Sequence, residues 1–97
     1  MQKERAIATG VVKLSAAKRN KLEDVMSVMS KSVRITEKRF IGTDRNSDVL
    51  TFKFEYGPVW GCWEDDVRKK VLQACVKAGT SPNFAVTKFE RSIVERR

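Results

Sequence analysis

The sequence predicts an α+β domain in which two helices cover one face of a four-stranded antiparallel sheet. Residues Leu50-Thr51-Phe52-Lys53-Phe54-Glu55-Tyr56 alternate apolar and polar without a slip, and period two means a strand with one apolar face. Two other segments repeat apolar residues at helical spacing: Leu22, Val25, Met26 and Met29, then Val67, Val71, Ala74, Cys75 and Ala78. Segments rich in β-branched and aromatic residues precede, separate and follow them, which makes the order β-α-β-β-α-β.

Arg5 to Lys13 carries β-branched residues and reads as the first strand, with Gly10 marking a bulge or a close backbone approach. Ser15 stands where an N-cap belongs, and the first helix follows it before fading through Ser30-Lys31-Ser32. The second strand spans Val33 to Ile41. Gly42 to Asp48 is a cluster of turn residues that reads as a hairpin loop and as a conceivable recognition loop. The third strand, Val49 to Tyr56, is expected to stop at Gly57-Pro58, since proline has no amide proton to donate. The second helix is expected to start between Gly61 and Glu64, with Glu64, Asp65 and Asp66 complementing the dipole of its first turn. It ends at Ala78, where Gly79 and then Pro82 stop it. The last strand covers Phe84 to Val94, ahead of a basic tail, Arg96-Arg97. Right-handed crossovers turn this order into a split βαβ, or ferredoxin-like, sandwich with one open sheet face.

At 97 residues the chain reads as one domain, residues 1–97, with room for a single modest core. No apolar run reaches the roughly 18 residues of a spanning helix, and no signal peptide is evident, so an intracellular protein that avoids membranes is expected. With two cysteines and no histidine, the usual four-ligand zinc site is unavailable, as is the commonest general base near neutral pH. Neither a cofactor nor a metal is expected. Cys62 and Cys75 are placed on or beside one helix, too far apart for a disulfide. Nothing in the chain matches a catalytic motif, and the expectation is a protein without enzymatic activity.

Charge is the strongest functional signal. Twenty Lys and Arg against 12 Asp and Glu leave a net +8, which suits a polyanion, usually nucleic acid. The orientation of the third strand narrows how that partner would be held. Turning Phe52, Phe54 and Tyr56 to solvent would bury Lys53 and Glu55, at a cost of several kcal/mol. Burying the aromatics instead gains roughly 2–3 kcal/mol for each phenylalanine. A base-stacking sheet of the kind found in RNA-recognition modules is therefore not expected.

The open face should then carry Lys53 with Thr51, and uninterrupted alternation adds Arg34, Thr36, Lys38 and Phe40 from the second strand. From the last strand come Thr87, Phe89 and Arg91, and from the first Thr9 and Lys13. Such a surface suits phosphate contact, with Phe40 or Phe89 available for stacking. Lys13, Lys18, Arg19 and Lys21 form a second basic cluster around the start of the first helix, where free amides favour phosphate.

Trp60 and Trp63 flank Gly61-Cys62 at the entrance to the second helix and are the candidate protein-binding residues. The expected function is a small nucleic-acid-binding accessory protein that contacts the DNA or RNA backbone with little sequence specificity. The alternative is a regulator of phage or mobile-element type that binds a host protein or nucleoprotein complex through the tryptophans. The outline is similar to many small ferredoxin-like proteins, including RNA-binding modules and some phage-encoded modulators. The sequence leaves monomer and homodimer both open.

Overall fold

A computed structural model describes residues 3–42 and 48–96. The elements are β1 (Glu4–Ala17), α1 (Arg19–Met29), β2 (Arg34–Gly42), β3 (Asp48–Trp60), α2 (Glu64–Ala78) and β4 (Asn83–Arg96). They form one antiparallel sheet in the order β2-β3-β1-β4. β1 and β2 flank β3, while β3 and β4 flank β1, so each helix crosses over one intervening strand. This is the ferredoxin-like split βαβ arrangement.

The core lies between the sheet and the two helices. Leu50, Phe52 and Phe54 are almost completely buried, and neighbouring β1 contributes Leu14 and Val12 opposite the first two and Ala8 opposite Tyr56. The helices close the layer with Leu22, Val25, Met26 and Met29 from α1 and Val67, Val71, Ala74 and Cys75 from α2. Both apolar stripes and the inward aromatics of β3 are as the sequence predicts. Gly10 marks a close approach: a Cβ there would run into the Lys88 carbonyl and come within 3.0 Å of Phe54 Cε1.

Two boundaries differ from expectation. β1 continues through Ala17, with Ser15 paired to Asn83, so Ser15 is a strand residue and Lys18 takes the N-cap position of α1. β3 does not stop at Gly57-Pro58 but runs on to Trp60. The register steps from Ala8↔Tyr56 to Ala6↔Val59, so one extra β3 residue is absorbed as a bulge and the missing proline donor is tolerated there. Gly57 has φ 117° and lies against the Ala6 carbonyl, a conformation and proximity that a side chain would not accept. Cys62 lies beside α2, two residues ahead of its start and with φ 60°, while Cys75 lies on it, as expected.

Two further bulges decide which way side chains point. On β2 the pairing steps from Ile35↔Phe54 to Glu37↔Lys53, leaving Thr36 as the extra residue. On β4 it steps from Val86↔Val12 to Lys88↔Val11, leaving Thr87 extra. In each case the threonine hydroxyl donates across the bulge, to the carbonyl of Lys53 and of Val11 respectively, at 3.4 Å. A slip of one residue sends every later side chain to the opposite face.

Candidate nucleic-acid interface

The bulge at Thr36 corrects the expected open face on β2. Lys38 pairs with Phe52 and Phe40 with Leu50, so both project to the helix side. Phe40 packs against the core, and the Arg19 guanidinium covers its ring at 4.6 Å. The residues that β2 turns outward are Arg34, Glu37, Arg39 and Ile41.

The bulge at Thr87 does the same on β4. Phe84 and Val86 are inward as expected, but Phe89 and Arg91 then pair with Gly10 and Ala8 and are inward too. Phe89 joins the core margin. Arg91 becomes a clamp: its Nε donates to the Gly61 carbonyl at 2.8 Å, its guanidinium lies 3.9 Å from the Trp63 ring, and it approaches Glu4 at 3.5 Å.

What remains outward is compensated in part. Lys53 pairs with Glu37 at 3.0 Å, Lys88 with Glu90 at 3.6 Å and Arg5 with Glu95 at 3.7 Å. A shallow hollow of about 260 Å³ over Gly10 sets Lys53 and Lys88 against Glu55 and Glu90. Lys13 and Arg34 are exposed on this face, yet the sheet as a whole is a mixed surface rather than a cationic plate. No aromatic ring of β2 or β4 stands on it.

The cluster expected at the start of α1 is also dispersed. Because β1 extends to Ala17, Lys13 belongs to the open sheet face. Lys21 reaches to the other helix, where Nζ donates to the Ala78 carbonyl at 3.2 Å and offsets the negative end of α2. Arg19 is held between Phe40 and Glu23, the latter at 3.7 Å. Lys18 is exposed at the N-cap.

The sequence reading missed the groove between the two helices. It has a volume of about 190 Å³ and is lined by Val28, Met29, Lys31, Ser32, Lys70, Gln73, Ala74 and Lys77. Among the described residues, its lining holds three lysines, Ser32 and Gln73 as donors, and no carboxylate. Lys70, Gln73 and Lys77 fall at i, i+3 and i+7 and so share one face of α2. Lys31 comes from just beyond the other helix, so no single stretch of sequence displays the site. Its only local signal is the lysine pair seven positions apart on α2.

The tryptophans do not form one patch. Trp60 pairs with Arg5 and follows the open face, 44% exposed. Trp63 is the N-cap of α2, is 55% exposed and is stacked by Arg91. Its backbone N–H donates to Asp66 Oδ2 at 2.8 Å, half of a capping box. Both thiols are free and buried. Burial pushes Cys62 up, against a hydrogen bond from the Ala8 backbone and the nearby Arg91 charge, and burial alone pushes Cys75 up. Neither environment activates a nucleophile. The loop expected over Gly42 to Asp48 lies mostly outside the described residues, as does Arg97 of the basic tail.

No helix among the described residues is long and apolar enough to cross a membrane. No protein-family model matches the sequence, and a search of curated proteins finds no match either. Among solved structures, the chain is similar to the solution structure of the C-terminal domain of the MgtC protein from Mycobacterium tuberculosis. The similarity has a TM-score of 0.53 at 10% identity and covers 95% of this chain and 90% of that one. At that identity the likeness shows the fold alone.

Proposed function

We propose that the protein is a nucleic-acid-binding accessory domain that holds the phosphate backbone along its helix layer. The reading rests on one observation: the inter-helix groove gathers Lys31, Lys70 and Lys77 with no carboxylate in its lining, whereas on the sheet face Arg5, Lys53 and Lys88 are each paired with a glutamate. Ammonium groups on flexible stems meet phosphates as point charges, and backbone contact of this kind carries little sequence information. Docking on a host protein through Trp60 and Trp63 has less to rest on, because their rings belong to different faces.

The test is a salt-titrated anisotropy measurement with labelled oligodeoxythymidine, duplex DNA and RNA. Three phosphate contacts give a log–log salt slope of about −2 for a single strand, or roughly a 20-fold loss of affinity between about 50 and 200 mM salt. The K31Q/K70Q/K77Q triple variant should flatten that slope towards zero, while K13Q/R34Q/K53Q on the sheet leaves most of it. An unchanged slope in the groove variant would refute the assignment.

A further inference from the structure

A second groove, of about 710 Å³, runs between α1 and the edge strand β2. Its apolar floor is Met26 and Ile35, and Ser27, Ser30 and Thr36 add polar rim. The two carboxylates in its lining are already engaged, Glu23 by Arg19 at 3.7 Å and Glu37 by Lys53 at 3.0 Å. β2 ends the sheet, so one side of its backbone faces no strand. Beyond the Thr36 bulge the register is unbroken from Glu37 to Gly42, and the run offers regularly spaced edge N–H and C=O groups. Lys38 projects to the groove side of that run and Arg39 to the sheet side. Among the described residues neither has a carboxylate within ion-pair distance.

We infer that β2 is the docking edge for an extended acidic segment of a partner protein. The segment adds a fifth strand, seats an apolar side chain on Met26 and Ile35, and sets carboxylates beside Lys38 and Arg39. Backbone bonds to an edge supply affinity in such complexes, and alternate side chains supply specificity. At about 3.3 Å per residue, the run from Glu37 to Gly42 accepts roughly six residues of extended chain.

Cations on an edge ordinarily deter pairing with a like copy. Here the charges that repel a second β2 select an acidic strand, and the apolar floor beside them adds what a merely guarded edge lacks. The opposite edge contrasts with this one: β4 is interrupted by extra residues at Thr87 and Val94, which leaves shorter regular runs to template a partner.

The probe is a fluorescein-labelled octapeptide with glutamate at every position of one strand face, for Arg39, and both valine and glutamate on the other, for Met26, Ile35 and Lys38, titrated into the ¹⁵N-labelled full chain. Saturable binding is expected, with amide shifts confined to residues 34–42 and 26–30. Charge reversal in K38E/R39E should weaken binding by roughly tenfold or more. Two changes in the peptide itself make the test independent of how any variant folds. Serine in place of valine should lose roughly tenfold by removing the apolar anchor, and N-methylation of alternate amides at unchanged charge should abolish binding by blocking the ladder. Equal binding of the N-methylated peptide would overturn the proposal, as would shifts centred on Lys31, Lys70 and Lys77. Displacement of the bound peptide by oligodeoxythymidine would instead assign this edge to nucleic acid.

Discussion

Replacing Arg91 by methionine separates a clamp from a phosphate contact, because the two roles predict opposite readouts. The side chain is 11% exposed, and its Nε donates to the Gly61 carbonyl at 2.8 Å. A hydrogen bond from a charged donor contributes about 1.5–3 kcal/mol. Stacking on Trp63 at 3.9 Å adds about 0.5–1 kcal/mol at a partly exposed ring. Glu4 is not orphaned by the change, since it keeps Arg96 at 3.2 Å, and methionine preserves the packing of the apolar stem. The expected loss is therefore about 2–4 kcal/mol, at least 8 °C in Tm for a domain of this size.

Urea unfolding followed by far-ultraviolet circular dichroism measures that loss without using the perturbed tryptophan as reporter. A double-mutant cycle with Trp63→Leu should return a coupling of about 0.5–1 kcal/mol for the stack. Arg91→Lys should recover little, because an ammonium lacks the planar fork that both stacks and donates. Nucleic-acid affinity, measured well below the transition, should be unchanged. An R91M variant with wild-type stability and weakened binding would refute the clamp and return Arg91 to the binding surface.

Three further outcomes are expected. Phe52→Ala, which empties a site only 1% exposed, should cost about 3–5 kcal/mol, whereas Lys53→Ala on the opposite face should stay within about 0.5 kcal/mol; chemical denaturation of both variants checks the orientation of β3. Gly79→Ala should cost about 1 kcal/mol for forcing a side chain into the left-handed C-cap conformation at φ 71°. Space is not the cause, since the nearest atom to the added Cβ is Lys21 Nζ at 3.8 Å. Both thiols are raised in the folded chain, so their contribution to stability is complete below the unfolded thiol range and is lost as pH climbs through the folded one. Stability should fall above about pH 9, by at most about 1.4 kcal/mol per pH unit for each thiol, and a thiol reagent at neutral pH should label the chain only at the unfolding rate.

The order of elements, both helix stripes and the inward face of β3 were legible because each follows from periodicity within one segment. The faces of β2 and β4 were not, because strict alternation assumes a ladder without extra residues. A trace of the bulges is nonetheless present in the chain. The inward apolar positions run 33 and 35, then switch parity to 40 on β2, and run 84 and 86, then 89 and 93 on β4, although outward Ile41 and Val94 keep the first parity and blur the signal. An odd interval between inward residues of one strand is the mark of a bulge. Ser15 misled for a different reason: its hydroxyl suits a cap, but pairing with Asn83 holds it in the sheet, so tertiary contact overrides local preference. The lysine groove was out of reach of any single-segment reading, since it exists only where two helices separated by two strands come together.

The bulges also explain why a strongly basic chain has a mixed rather than a uniformly cationic sheet face. Without the extra residues at Thr36 and Thr87, Lys38, Phe40, Phe89 and Arg91 would join Lys53 on the open face, as a flat surface of cations and rings. With them, the two rings seal the core margin, Arg91 ties the turn before α2 to β1 and β4, and Lys38 moves to the β2 groove. The outward positions that replace them include Glu37 and Glu90, which neutralise Lys53 and Lys88. Lys38 beside the β2 edge thus joins Lys31, Lys70 and Lys77 between the helices as lysines set in concave places, where low-dielectric walls strengthen the field of each charge. Both proposed partners, a polyphosphate backbone in one groove and a strand in the other, are narrow and extended, as such places require, unlike bases splayed on a plane.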